Sequence, residues 1–193
     1  MELSPRLYHW FVRPRWFTRT YMYSLITNNI DYHNKMVLDF GCGIGSICSL
    51  FQPSNYLGLD CDSSRISYAQ YSYPDYRFDV LRESCLPISE NLVDYILIIS
   101  VLHHIPSKEL YGYIEEFRRV LKPNGKIFII EPCFFENTHF SNKCMNFFDK
   151  GKYIRNEDGY LELFNKHYYK IEVLKKFKQL FFYNKLFFTA VPY

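Results

Sequence analysis

Three acids and a run of alternate glycines are the residues of this sequence best suited to chemistry. Gly41, Gly43 and Gly45 follow Asp39 in the stretch Asp39-Phe40-Gly41-Cys42-Gly43-Ile44-Gly45. Asp60 closes the apolar run Tyr56-Leu57-Gly58-Leu59-Asp60, and Asp79 lies in Arg77-Phe78-Asp79-Val80. A glycine turn lets backbone approach a ligand closely, and a helix that begins after it presents free N–H groups; together they bind nucleotides of many kinds. The dinucleotide fingerprint G-x-G-x-x-G calls for glycine where this chain has Ser46, and the spacing here is G-x-G-x-G. Strand ends of an open parallel sheet line its ligand crevice, so the three acids converge on one edge, where Asp60 can accept from two ribose hydroxyls at once. Each residue also has a structural reading: the glycines as a plain tight turn, Asp60 and Asp79 as caps of a turn or helix.

The elements that must position these residues show as periodicity. Residues 36–40 form a short apolar run ending in the glycines, and 44–51 read as a short helix stopped by Pro53. A second strand over 56–60 leads into a helix from Ser63, with Asp62 or Ser63 as its N-cap, and a third strand covers 77–80. Residues 95–102 are almost unbroken apolar, as expected of a strand buried on both faces. A helix over 107–121 places Leu110, Ile114, Phe117, Val120 and Leu121 on one face, and Pro123-Asn124-Gly125 turns it into a strand over 126–131. Such alternation means a parallel sheet with helices on both faces. After Pro132 the pattern loosens into a polar and aromatic insert, then a helix over 156–165 and two strands, 168–178 and 185–191, joined tightly enough to be antiparallel.

Length and composition bound the rest. A chain of 193 residues fits one α/β domain. Its segments are a lid or helix over 1–34, a core over 35–131, and the insert, helix and hairpin over 132–193. A net charge of +3 is too mild to imply a nucleic-acid partner. The start lacks the apolar run of a signal peptide, and no stretch reaches the roughly 18 apolar residues needed to span a bilayer, so a cytoplasmic protein is expected. Cys42, Cys48, Cys61, Cys85, Cys133 and Cys144 contain no C-x-x-C pair, so free, mostly buried thiols and no metal are expected. Aromatic residues make up 20% of the chain, and many crowd its two ends.

From Val37 to Glu131 the sequence resembles the class I S-adenosylmethionine-dependent methyltransferases, of the small type-11 kind. The resemblance rests on Val37-Leu38-Asp39-Phe40-Gly41-Cys42-Gly43-Ile44-Gly45, Gly58-Leu59-Asp60, Asp79-Val80, the stretch 94–104, and Leu121-Lys122-Pro123-Asn124-Gly125-Lys126, in that order. It implies a Rossmann-like, doubly wound, mostly parallel seven-stranded sheet with a C-terminal antiparallel hairpin. It also implies S-adenosylmethionine as cofactor: Asp39 and the glycines Gly41, Gly43 and Gly45 on the methionine end, Asp60 on the ribose, Asp79 with Val80 on the adenine, and Cys61 and Ser100 completing the set.

The expected reaction moves a methyl group to an O, N or C atom of a small-molecule acceptor by in-line displacement. Positioning supplies much of the rate, and a base is needed only where the acceptor must lose a proton. His103-His104 follows the central strand, and His104 is the candidate base; a hydrogen-bonded structural role is the competing reading. His139, Tyr153 and His167 lie in the insert expected to wall the pocket. Base amino-group methylation is disfavoured because Ser100-Val101-Leu102-His103 stands where an Asn/Asp-Pro-Pro-aromatic tetrad would be. The Arg-rich aromatic stretch Tyr8-His9-Trp10-Phe11-Val12-Arg13-Pro14-Arg15-Trp16-Phe17 reads as a lid, as an edge packed on the sheet, or as a segment lying on anionic lipid without stable insertion, which would make the acceptor a lipid. Two other readings stay open. A nicotinamide-dependent oxidoreductase is suggested by Asp60, 19 residues after Gly41, and a binding partner could keep the cofactor site without catalysis.

Overall fold

The computed structural model describes residues 23–82, 85–149, 151–179 and 183–193. The chain divides into two compact units, Met1–Arg82 and Glu83–Tyr193. The aromatic N-terminal stretch from Tyr8 to Phe17, with the lid and lipid readings placed on it, lies outside the described residues.

In the first unit, helix α1 (Tyr23–Asn29) buries Leu25 and Ile26. Its Tyr23 hydroxyl donates to the Ser46 carbonyl at 3.2 Å and shares a 2.6 Å bond with Ser49 Oγ. Strands β1 (Val37–Phe40), β2 (Tyr56–Asp60) and β3 (Arg77–Val80) run parallel with β2 in the middle. Every residue of β1 and β2 is buried, as a parallel sheet covered on both faces requires. Helix α2 (Ser63–Ser72) starts where expected: Asp62 is its N-cap and accepts from Ser64 N at 2.9 Å and Arg65 N at 3.1 Å, a cap that contributes about 1 kcal/mol.

The helix expected over 44–51 does not form. Residues 41–47 are irregular turns, and only Cys48–Leu50 makes a single 3-10 turn. The span opens on a local obstacle: Gly45, its second residue, has φ 73°, a left-handed value that no right-handed helix can continue through.

The second unit contains β4 (Val93–Ile99), α3 (Ser107–Val120), β5 (Leu121–Phe134), α4 (His139–Phe148), β6 (Arg155–Asn156), α5 (Glu157–Asn165), β7 (Tyr169–Gln179) and β8 (Tyr183–Pro192). β4 and β5 pair in parallel, β8 pairs antiparallel with both β5 and β7, and β6 pairs in parallel with β5. The terminal hairpin is therefore present, its last strand beside β5. Across the chain the architecture is mixed α/β, mostly parallel with C-terminal antiparallel strands.

Several expectations shift here. The strand expected over 95–102 begins at Val93 and stops at Ile99, before Ser100 at φ +59°. The expected turn at Pro123–Gly125 becomes a wide bulge inside β5: Leu121 pairs with Val93 and Lys126 with Tyr95, so residues 122–125 loop out beside Asp94, whose Oδ2 takes Lys122 Nζ at 2.6 Å. On α3 the buried face is Leu110, Ile114, Phe117 and Val120, with Leu121 passing to the strand. The loose insert holds α4 and the two-residue β6, which pairs with the end of β5. No described helix is long and apolar enough to cross a membrane.

Candidate functional site

In the first unit the glycine loop is folded over the end of β2. Gly41 N and Cys42 N both donate to the Leu59 carbonyl, at 2.7 and 3.0 Å, and Gly45 N to the Cys42 carbonyl at 3.0 Å. Gly43 N donates to Asp60 Oδ2 at 2.8 Å, while Asp60 Oδ1 takes Asp62 N at 2.9 Å. The buried Asp60 carboxylate thus ties the loop to the strand end and to the start of α2. Each of its oxygens has a second lone pair for a further donor.

The glycines differ in purpose. A Cβ on Gly45 would sit 2.7 Å from Phe78 Cζ, and one on Gly58 would sit 2.6 Å from Phe78 Cδ1 and 2.9 Å from Cys42 Sγ. Both are glycine so that the buried Phe78 ring can lie against them. A Cβ on Gly43 would meet nothing within 4 Å. No packing neighbour demands glycine at 43, which leaves its positive φ and the open approach to its backbone.

Asp39 is buried and accepts from the Tyr56 hydroxyl at 2.6 Å. Burial, and then the charge of Asp39, push the Tyr56 phenol well above its ordinary range and the Cys48 thiol up to about 12. Burial with both Asp39 and Asp60 raises the Cys42 thiol as well. These buried cysteines are inert thiols. Cys133 is buried too, Cys144 is half-buried, and Cys61 and Cys85 are exposed; all six are free.

Asp79 is half-exposed, its Oδ2 3.0 Å from Arg77 Nε, and the β-register sets Val80 opposite Asp60 and Asp79 opposite Leu59. The first unit therefore brings Gly41, Gly43, Gly45, Asp60, Cys61, Asp79 and Val80 to the C-terminal ends of β1, β2 and β3. Ser100 belongs to the second unit, where its Oγ takes Lys185 Nζ at 2.6 Å and its N–H donates to the Ile130 carbonyl at 2.8 Å.

The second unit also holds a buried charge network that sequence reasoning missed. Glu131, fully buried at the end of the β5 apolar run, accepts from Val101 N (2.6 Å), Leu102 N (2.9 Å), His103 N (3.3 Å) and His103 Nδ1 (2.7 Å). His103 Nε2 lies 3.4 Å from Asp149 Oδ1, and that oxygen also accepts from Gly151 N at 2.6 Å. Burial alone would lower the His103 pKa, but Glu131 and Asp149 outweigh it and hold the ring above its ordinary value. Tyr153 N donates to the His103 carbonyl at 3.0 Å, and Arg155 Nη1 and Nη2 donate to the Leu102 and Ile105 carbonyls, each at 3.0 Å. The segment after α4 is thereby fastened to the turn after β4. His104, in that turn, is exposed, its ring centroid 4.1 Å from that of His103. The signal for Glu131 was a lone carboxylate following the apolar run Ile127-Phe128-Ile129-Ile130 within β5.

The other candidates scatter. His139 is exposed at the start of α4. His167 Nδ1 lies 2.6 Å from Glu115 Oε1 of α3, a side-chain hydrogen bond. Cys133 is buried, and burial pushes its thiol up to about 12.

Residues 38–129 match the family described as "Methyltransferase domain". The match covers just under half of the chain. Similar sequences include a demethylmenaquinone methyltransferase of Oceanobacillus iheyensis, 32% identical over 107 residues, covering 50% of this chain and 44% of the relative. A fatty-acid O-methyltransferase of Mycolicibacterium smegmatis is 26% identical over 110 residues, covering 54% of this chain and 39% of the relative. The chain thus matches less than half the length of these curated relatives. An S-adenosylmethionine-dependent methyltransferase from Aquifex aeolicus has the same fold, with a TM-score of 0.69 at 18% identity over 98% of this chain and 100% of that one. The matched segment contains the glycine loop, Asp60, Asp79, Ser100 and both histidines. Glu131, Asp149 and Lys185 lie beyond its end.

Proposed function

We propose that the chain binds S-adenosylmethionine through the Asp39–Gly45 loop and transfers its methyl group to an O, N or C atom of a small-molecule acceptor by in-line displacement. The observation that carries this reading is Gly43, a glycine that no neighbouring side chain requires, hydrogen-bonded to a buried Asp60 that keeps lone pairs for further donors. When bound, the cofactor supplies an electrophilic methyl group on a positively charged sulfur. Asp39 and the glycines hold the methionine end, Asp60 accepts from the ribose hydroxyls, Asp79 and Val80 take the adenine, and Cys61 and Ser100 complete the set. In the metal-free chain His104 is the imidazole that can take a proton from an acceptor that must lose one. It is exposed, whereas both ring nitrogens of His103 face carboxylates.

A lipid acceptor is the second reading. Phe140 and Phe147, one heptad apart on α4, are 75% and 82% exposed, with the exposed Lys143 between them. The name of the fatty-acid relative points the same way.

Incubating the full chain with methyl-labelled cofactor and a cell extract as acceptor source tests both. The expected outcome is release of S-adenosylhomocysteine matched by label in a small organic product, lost in Asp60→Ala. Cofactor binding without any release would make the chain a non-catalytic partner instead.

A further inference from the structure

His103, His104 and Asp149 form a second arrangement of ligating groups in this chain, and one that methyl transfer as such does not need. One donor atom from each lies within 4.8 Å of the others. Glu131 Oε2 takes His103 Nδ1 at 2.7 Å, which orients the ring and turns Nε2 towards Asp149 Oδ1. That Nε2 to Oδ1 separation, 3.4 Å, is long for a hydrogen bond between charged groups, which typically measures about 2.7–2.9 Å. It matches instead the roughly 3.3 Å edge between two ligands that each sit about 2.0–2.1 Å from a tetrahedral zinc ion. The outer carboxylate is also in place, since a ligating histidine almost always donates its other ring N–H to a carboxylate, carbonyl or water. Gly151 closes the arrangement from the other side: a Cβ there would lie 2.0 Å from His103 Cδ2, so the backbone after Asp149 can run against the imidazole only as glycine.

We infer that His103 Nε2, His104 and Asp149 bind one divalent transition-metal ion, with zinc the best match to two imidazoles and a carboxylate. Three protein donors leave an open position, the arrangement of catalytic rather than structural zinc sites. Binding of the ion does not depend on the methyl-transfer reading. Its role does. An acceptor hydroxyl in the open position would lose its proton to solvent under the charge of the ion, and His104 would then be a ligand rather than a base.

The test uses the full chain, stripped of metal by a chelator, with Cys61 and Cys85 changed to serine so that exposed thiols do not compete. It is titrated with Zn²⁺ by calorimetry and with Co²⁺ by absorption. The expected results are one ion per chain, cobalt bands without the intense near-ultraviolet absorption of a thiolate ligand, and no saturable binding in His104→Ala or Asp149→Asn. In Glu131→Gln, affinity should fall by about 10–100-fold. His104 is exposed, so its alanine variant should fold, and an unchanged thermal melt checks this. Failure of the wild type to bind, a thiolate band, or binding that survives in His104→Ala would each overturn the inference. Titration of the chain without the cysteine substitutions with S-adenosylhomocysteine reports separately on the cofactor site.

Discussion

Replacing Glu131 with alanine is expected to cost about 3–5 kcal/mol of stability, the usual loss when one member of a buried charged pair is removed. The carboxylate is fully buried and accepts from three consecutive backbone N–H groups, those of Val101, Leu102 and His103, as well as from the His103 ring. Alanine removes every one of these acceptors and leaves the donors, those of Leu102 and His103 buried, without a protein partner. Each orphaned backbone donor carries a desolvation penalty of about 1–3 kcal/mol, though the losses will not simply add. Glu131→Gln keeps one acceptor oxygen and should recover part of the loss. Urea unfolding followed by fluorescence measures both variants. A change below about 1 kcal/mol in the alanine variant would mean that the turn after β4 is not held by this carboxylate.

Gly45→Ala is the second large effect, at about 2–5 kcal/mol. A left-handed φ costs a non-glycine residue about 1–2 kcal/mol, and overpacking a filled core adds about 1–3 kcal/mol. Both apply here, because Gly45 has φ +73° and its Cβ would lie 2.7 Å from the Phe78 ring. That ring cannot easily yield, being buried and packed edge-on against Tyr56 at 5.7 Å. Gly43→Ala, with a similar φ but open space, should cost only the backbone part, about 1–2 kcal/mol, while impairing cofactor binding. Equal destabilisation by the two substitutions would contradict the separate roles given to these glycines.

The elements that carry the glycine loop and its acids were legible in the sequence because each has a short-range signal. An apolar run ending in glycines or an aspartate reads as a strand end, and Asp62 before the α2 pattern reads as a cap. The helix expected over 44–51 meets an obstacle no apolar pattern encodes, the positive φ of Gly45 at its start. Helix α4 was hidden because two of its phenylalanines face solvent, which blurs the usual apolar stripe. The network of Glu131, His103, Asp149 and Arg155 was illegible because it joins residues far apart in the chain, and their side-chain types alone do not say who meets whom. Of the adjacent pair His103 and His104, only the fold shows which ring is buried between carboxylates and which is exposed.

The central claim is that the Asp39–Gly45 loop holds a methyl donor rather than a dinucleotide. Calorimetric titration of the full chain with S-adenosylhomocysteine and, separately, with NADH tests it most directly. The structure leads us to expect one S-adenosylhomocysteine per chain, binding weakened in Asp60→Ala, and no NADH binding. Binding of NADH alone would contradict it.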